Sequence, residues 1–254
     1  MLTKEQLAII ARKYNVGLAV QERDYIQHIF LYLLFQEGQD FYFKGGTCLR
    51  IAYGGNRYSE DLDFNCSLKG DQLKDCLFHV TEKHKLFGIE ALPKHAEFLK
   101  GGFTFDLSFQ GPLFDGRSIT KNKVRVDVST RREEVKTDEQ FIDLRHIYPD
   151  IPVFFLTSIS LSDVFAEKIR ALMIRGKPRD LYDIWFLLRR GEAPDRSLMN
   201  KKLRLYQMDF DPQVFAHNVD KIEEDWKRDL TPLLSQAPEF KEVRQEVLRK
   251  MTLG

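Results

Sequence analysis

Hydrophobic positions recur at helical spacing from the start of the chain. Thr3-Lys4-Glu5-Gln6 has the spacing of a capping box, and Leu7, Ile10 and Ala11 behind it predict a first helix. A second helix is predicted from Gln21 to Phe35, with Tyr25, Ile26, Ile29, Phe30 and Leu33 as its apolar stripe and Gln36-Glu37-Gly38 as its stop. Phe41 to Phe43 predicts a strand that breaks into Gly45-Gly46-Thr47, and Thr47 to Tyr53 a short helix leaving those glycines. Alternation returns in Asp61-Leu62-Asp63-Phe64, followed by a predicted helix from Asp71 to Leu86. Phe103, Phe105, Leu107 and Phe109 then share one strand face against Thr104, Asp106 and Ser108. In Lys123 to Thr130, Val124, Val126 and Val128 face a core, which puts Arg125, Asp127 and Ser129 on the other side.

The stretch from Glu133 to Pro152 is expected to be a loop-rich linker, and the pattern beyond it is helical. Ser160 to Arg175 carries Leu161, Val164, Phe165, Ile169 and Leu172 as a stripe, with Glu167 and Lys168 beside it. Arg175 to Asp180 makes a basic turn, and Pro178 stands near the start of a helix through Leu181, Tyr182, Ile184, Trp185 and Leu188. The expected fold class is α+β. A small mixed sheet flanked by helices would occupy residues 1–155, and a helical domain residues 156–254.

Composition narrows the partners. The chain of 254 residues is 43% hydrophobic, enough for a full core in one large or two modest domains. Its formal net charge of +1 sets up no global field toward nucleic acid or membrane, so any RNA contact must use local basic patches. Such clusters are Arg131-Arg132, Lys177 to Arg179, Arg189-Arg190 and Lys201 to Arg204, whose ordinary role is a solvated face. Cys48, Cys66 and Cys76 make no paired framework, and no apolar run approaches the ~20 residues of a membrane span or reads as a signal peptide. The expected location is the cytoplasm.

The chemistry concentrates between Lys44 and Phe64. Asp61 and Asp63 share a strand face, and two carboxylates so placed suit Mg2+, which completes its shell with water and substrate phosphates. The glycines upstream let backbone N–H groups approach those phosphates. A glycine turn facing an acidic pair is the arrangement of nucleotidyl transfer, although each half alone is commonly a turn or a solvated edge. Asp127 is a third carboxylate if its strand lies beside Asp61 and Asp63; otherwise it pairs with Arg125 or Lys123. Ser59, two positions before Asp61, turns into the same cleft if the strand starts early enough, and otherwise caps the turn after Asn56-Arg57-Tyr58. A phosphate on Ser59 would oppose the incoming triphosphate. Cys76, His79 and His84 fit no zinc spacing and are expected to be surface polar residues.

Four motifs in order resemble the AbiEii/AbiGii-type toxin nucleotidyltransferases of the DNA polymerase β-like superfamily, several of which act on tRNA. They are Gly45-Gly46-Thr47, Asp61 with Asp63, Lys168 in AEKIRAL, and Arg175 through Asp180 running into LYDIWFLL. The resemblance spans Lys44 to Leu188, and Asp195 to Gly254 lies outside its motifs. It implies an α+β nucleotidyltransferase core and transfer of a nucleoside monophosphate from a nucleoside triphosphate to an acceptor, with a tRNA 3′ end as the expected one. It further implies a toxin with a cognate antitoxin. Asp61 and Asp63 would be the metal ligands, with Asp127 as a third ligand, helper or general base. Gly45, Gly46 and Thr47 would hold the triphosphate, with Ser59 and Arg175 among the nucleotide-binding residues. Lys168 would neutralise phosphate charge, and Asp180 is carried over as essential, with the orienting of Lys168 or Arg175 as its candidate task. A small-molecule acceptor, as in antibiotic nucleotidyltransferases, and a catalytically dead nucleotide-sensing or partner-binding module are the alternatives.

Overall fold

A computed structural model describes residues 1–38, 40–131 and 139–252, which divide into two compact units, Met1–Ile159 and Ser160–Gly254. The first opens with α1 (Lys4–Lys13), where the Thr3 side chain and the Gln6 side chain cap each other's backbone. Then come α2 (Leu18–Glu37), β1 (Phe41–Lys44), α3 (Gly45–Ile51), β2 (Asp61–Cys66), α4 (Gly70–Lys83), β3 (Glu90–Leu99), β4 (Gly102–Gln110), β5 (Asn122–Ser129), β6 (Glu139–Leu144) and β7 (Phe154–Ile159). The strands form one seven-stranded mixed sheet in the order β3-β4-β5-β2-β1-β7-β6. Within it β2 runs parallel to β5 and antiparallel to β1, and β1 runs parallel to β7.

The alternation in β2 and β5 decides which face is covered. Leu62, Phe64, Val124, Val126 and Val128 join Ile26, Ile29, Phe30 and Leu33 of α2 and Leu73, Leu77 and Val80 of α4 in one core. Phe64 stacks on Phe43 at 5.3 Å and meets Phe30 at 6.3 Å. Burial of each such ring contributes roughly 1.5–3 kcal/mol, which fixes the strand register and leaves the opposite face of β2 and β5 to polar side chains.

Several expectations are corrected. The segment from Glu133 to Pro152 is not a linker throughout, because β6 pairs antiparallel with β7 and extends the sheet; residues 133–138 lie outside the described residues, as does Arg132. Strand β3, absent from the sequence reading, pairs antiparallel with β4. On the polar side of β4, Thr104 and Asp106 are buried along with the aromatic side. His84 is fully buried, with Nδ1 facing the Val80 and Thr81 carbonyls, whereas His79 stays exposed. Burial pushes the His84 ring down to about 4, so it is a neutral core residue and not a surface polar one.

The second unit is helical among its described residues: α5 (Leu161–Arg175), α6 (Pro178–Arg190), α7 (Arg196–Arg204), α8 (Pro212–Asp220), α9 (Glu223–Leu230) and α10 (Phe240–Thr252). Ser160 caps α5, Gly176 ends it in the left-handed conformation, and Pro178 opens α6. Helix α5 packs on α6, α7 and α8, and α6 on α9 and α10. Lys202 was expected on a solvated basic face; it is buried, 3.0 Å from Asp163 and 3.5 Å from Glu167.

Candidate active site

Strand β2 sets the site. With Leu62 and Phe64 buried in the core, Asp61 and Asp63 stand partly buried on the opposite face. The parallel register with β5 sets Asp61 against Arg125 and Asp63 against Asp127. Partners directly opposite on neighbouring strands share a face, so the three carboxylates and the Arg125 guanidinium occupy one surface of the sheet.

The glycine turn abuts that surface. Lys44 pairs with Asp63 across β1 and β2, and the chain turns straight into α3 through Gly45, whose φ is +77°. A Cβ there would lie 2.8 Å from Asp63 Cγ, so only glycine lets the carboxylate rest against the first turn of α3. Thr47 Oγ1 donates to the Asp61 carbonyl and ties α3 to the start of β2. The space a Cβ would take at Gly46 is filled by the Arg57 guanidinium, with Ser59 Oγ 3.1 Å from that position. Ser59 therefore faces the glycine turn. Arg57 is buried beside it, donating from Nη1 to the Tyr58 carbonyl at 2.9 Å.

Asp127 is held from one side. Thr104 Oγ1 donates to its Oδ1, and Arg125 Nε stands 3.7 Å from the same oxygen, while Oδ2 has no partner among the described residues. Arg125 is itself anchored at 3.0 Å on Asp106, which also accepts from Lys123 at 2.7 Å. Burial alone would raise the Asp106 carboxyl, but the hydrogen bonds from Lys123 and Arg125 outweigh it and hold the carboxyl below its ordinary value. Of the two partners open to Asp127 from sequence, Arg125 is the one it meets.

Among the described residues no three His, Cys, Asp or Glu side chains are gathered tightly enough to form a ready-made metal centre. The donors nevertheless fit a hard cation. Two carboxylates on one strand face, beside a turn open to phosphate, suit an ion that takes one or two protein carboxylates and the rest of its shell from substrate and water.

In the second unit Lys168 lies on the α6-facing side of α5, its side chain 8% exposed, with Nζ 2.8 Å from Asp183 Oδ2 and 3.6 Å from Asp180 Oδ1. Asp180 is fully buried and accepts a fork of two bonds from Arg175, at 2.8 and 2.9 Å. Two carboxylates thus stand between two cations, which satisfies charges that burial would otherwise penalise. Sequence reasoning missed Arg57, Thr104 and Asp183. Arg57 lies in the loop between the glycines and the acidic pair, and Thr104 becomes visible only once β4 is set in register against Asp127. Asp183 stands three residues past Asp180 near the start of α6, where acidic residues are common.

A family model described as nucleotidyl transferase AbiEii toxin, type IV toxin–antitoxin system, matches residues 30–247. Among solved structures, the nucleotidyltransferase toxin MenT4 (Rv2826c) of Mycobacterium tuberculosis H37Rv is similar over 98% of this chain and 88% of its own, with a TM-score of 0.76 and 19% identity. A putative nucleotidyltransferase from Helicobacter pylori is similar over 92% of this chain and 93% of its own, with a TM-score of 0.58 and 20% identity. JHP933 from Helicobacter pylori covers 94% and 92% at a TM-score of 0.57 and 17% identity. At these identities the likeness is one of fold. No curated protein matches the sequence significantly. No helix among the described residues is long and apolar enough to cross a membrane.

Proposed function

Because the chain belongs to the AbiEii family of nucleotidyltransferase toxins, we propose that it transfers a nucleoside monophosphate from a nucleoside triphosphate to the 3′-terminal hydroxyl of a tRNA, in the cytoplasm and under the control of a cognate antitoxin. The observation that carries this reading is the common face of Asp61, Asp63 and Asp127 against the Gly45 turn.

Asp61 and Asp63 would hold a divalent cation, Mg2+ by the chemistry of the donors, with Asp127 beside them. Such an ion supplies charge neutralisation on the triphosphate and acidifies the attacking hydroxyl. The acceptor oxygen forms a bond to the α-phosphorus as the bond to the bridging oxygen breaks, and pyrophosphate leaves. Asp127 Oδ2, with Oδ1 already taken by Thr104, is the atom we assign to receive the hydroxyl proton. The backbone N–H groups of Gly45, Gly46 and Thr47 cradle the phosphates, Ser59 Oγ faces the same turn, and the Arg57 guanidinium adds a fixed positive charge there. From the second unit we assign Lys168 to charge neutralisation on the triphosphate and Arg175 to nucleotide binding. We assign Asp180 to holding both in place, from its fork to Arg175 at 2.8 Å and its 3.6 Å approach to Lys168, which Asp183 holds more closely.

The acceptor is tested with total tRNA and each of the four α-labelled nucleoside triphosphates. Label should enter tRNA with an intact 3′ terminus and not tRNA whose terminal hydroxyls have been oxidised by periodate. Equal labelling of both would overturn the 3′-end assignment.

A further inference from the structure

A polar cavity, of about 190 Å3, opens in the first unit at the end of α3 away from the glycine turn. Asp24, His28 and Arg50 are among the residues that line it, together with Tyr14, Arg145 and His146. His28 is almost entirely buried, and its Nδ1 lies 2.7 Å from the Asp24 carbonyl. A carbonyl only accepts, so Nδ1 carries the proton and Nε2 of the neutral ring is an acceptor. Burial lowers the His28 ring's affinity for a second proton, which keeps it in that form. Nε2 has no partner among the described residues and is not sealed from the cavity. Arg50 is fixed by three contacts: Nη1 donates to the Gly55 carbonyl at 3.2 Å, Nε lies 3.3 Å from Asp24, and the guanidinium stacks 3.8 Å over Tyr58. Held in this way, the Arg50 guanidinium forms part of the cavity wall. His28 and Arg50 thus put an acceptor and a donor on the cavity wall, beside the Asp24 carboxylate that Arg50 already faces.

Much of the remaining wall is ring and aliphatic surface. His146 spends both ring nitrogens, Nε2 on the Pro152 carbonyl and Nδ1 on the Tyr148 N–H, so it offers only its ring, with Tyr14, Ile51 and Ile147 around it. Charge is balanced: Arg50 faces Asp24, and Arg145 at the rim faces Asp143 at 3.5 Å. A pocket whose arginines already face carboxylates, with a donor beside an acceptor and ring surfaces in its wall, suits a neutral heterocycle better than a phosphate.

We propose that this pocket binds a nucleobase, the base donating an N–H to His28 Nε2 and accepting from the Arg50 guanidinium at its neighbouring carbonyl or ring nitrogen. Every standard base presents a donor next to an acceptor on its pairing edge, so the two groups recognise a base as such, and ring stacking supplies affinity that is tolerant of sequence. The base comes either from a single-stranded RNA segment or from a free nucleotide. The assignment is independent of the transfer chemistry on the carboxylate face.

The test is titration of the full chain, labelled with 15N-histidine, with the four nucleosides and with a short single-stranded oligonucleotide. Nucleosides carry no phosphate, so the result does not depend on triphosphate binding or turnover. The His28 Nε2 resonance should shift saturably with at least one of them. Arg50→Met should weaken that binding by at least about tenfold, the effect of losing a buried hydrogen bond together with its partner's desolvation. Tyr14→Ala, at the chain surface, should weaken it while leaving the spectrum of the folded protein intact. Tighter binding of the oligonucleotide than of any nucleoside would assign the base to an RNA strand, and equal binding to a free nucleotide. The proposal is overturned if His28 Nε2 responds to none of these ligands, if inorganic phosphate alone produces the same shift, or if Tyr14→Ala binds as wild type does.

Discussion

Replacing Gly45 by alanine perturbs the acidic pair from outside it. The new Cβ would stand 2.8 Å from Asp63 Cγ and 3.0 Å from Asp63 Cβ. Carbon atoms rest about 3.5–4.0 Å apart, so either Asp63 or the turn must yield by roughly 1 Å. The φ of +77° adds a strain of ~1–2 kcal/mol for a residue with a side chain. Gly54 separates the two effects, because it has a φ of +73° and a methyl group placed there would meet nothing within 4 Å. Gly54→Ala should cost stability of that size and leave transfer close to wild type. Gly45→Ala should cost somewhat more stability and lower transfer by about 100-fold, the usual consequence of a 1 Å displacement of a reacting group. Thermal melting of both variants beside labelled nucleotide transfer gives the comparison. Equal transfer by the two variants would refute the claim that Gly45 is glycine because of Asp63.

Lys168→Ala leaves Asp183 without its 2.8 Å partner in a buried cluster and should destabilise the chain by about 3–5 kcal/mol in urea unfolding, with Lys168→Ala/Asp183→Leu recovering part of the loss. Wild-type stability in the single variant would show that the cluster is not paired as described. His84, held neutral by burial with its pKa near 4, favours the fold above the free histidine value of about 6.5. Stability linked to it should fall as pH drops from about 6.5 toward 4, by on the order of 3 kcal/mol, and His84→Leu should flatten that part of the unfolding profile; an unchanged slope would contradict it. Ser59→Asp should depress transfer well below Ser59→Ala, because the added charge faces the glycine turn, and equal activity in two folded variants would show that Ser59 only shapes the loop.

Local pattern made the centre of the sheet legible. In β2 and β5 every second residue is a large apolar side chain, so the faces of Asp61, Asp63 and Asp127 followed from alternation alone. What alternation cannot give is the neighbour: that β5 lies beside β2, parallel and in a register pairing Asp63 with Asp127, depends on contacts about sixty residues apart. The same limit hid β3, where Glu90, Lys94, Glu97 and exposed Leu92, Phe98 and Leu99 give an edge strand no clean buried side. It hid the polar residues of α2 as well. Asp24 is buried on what helical spacing treats as the solvent side because the Tyr148 hydroxyl donates to it at 2.5 Å from far along the chain. His84 and Lys202 were misplaced for the same reason, since composition assigns them to water and only tertiary partners or a sealed core bring them inside.

The central claim, that the shared face of Asp61 and Asp63 performs nucleotidyl transfer, is tested most directly by one comparison. Wild type, Asp61→Ala and Asp63→Ala are incubated with Mg2+, α-labelled nucleoside triphosphates and total tRNA, and label in RNA is counted beside a melting curve of each protein. The account predicts labelled tRNA from wild type and background counts from both variants at undiminished melting temperature, since neither half-exposed carboxylate supports the core. Label incorporation at the wild-type rate by either folded variant would contradict it.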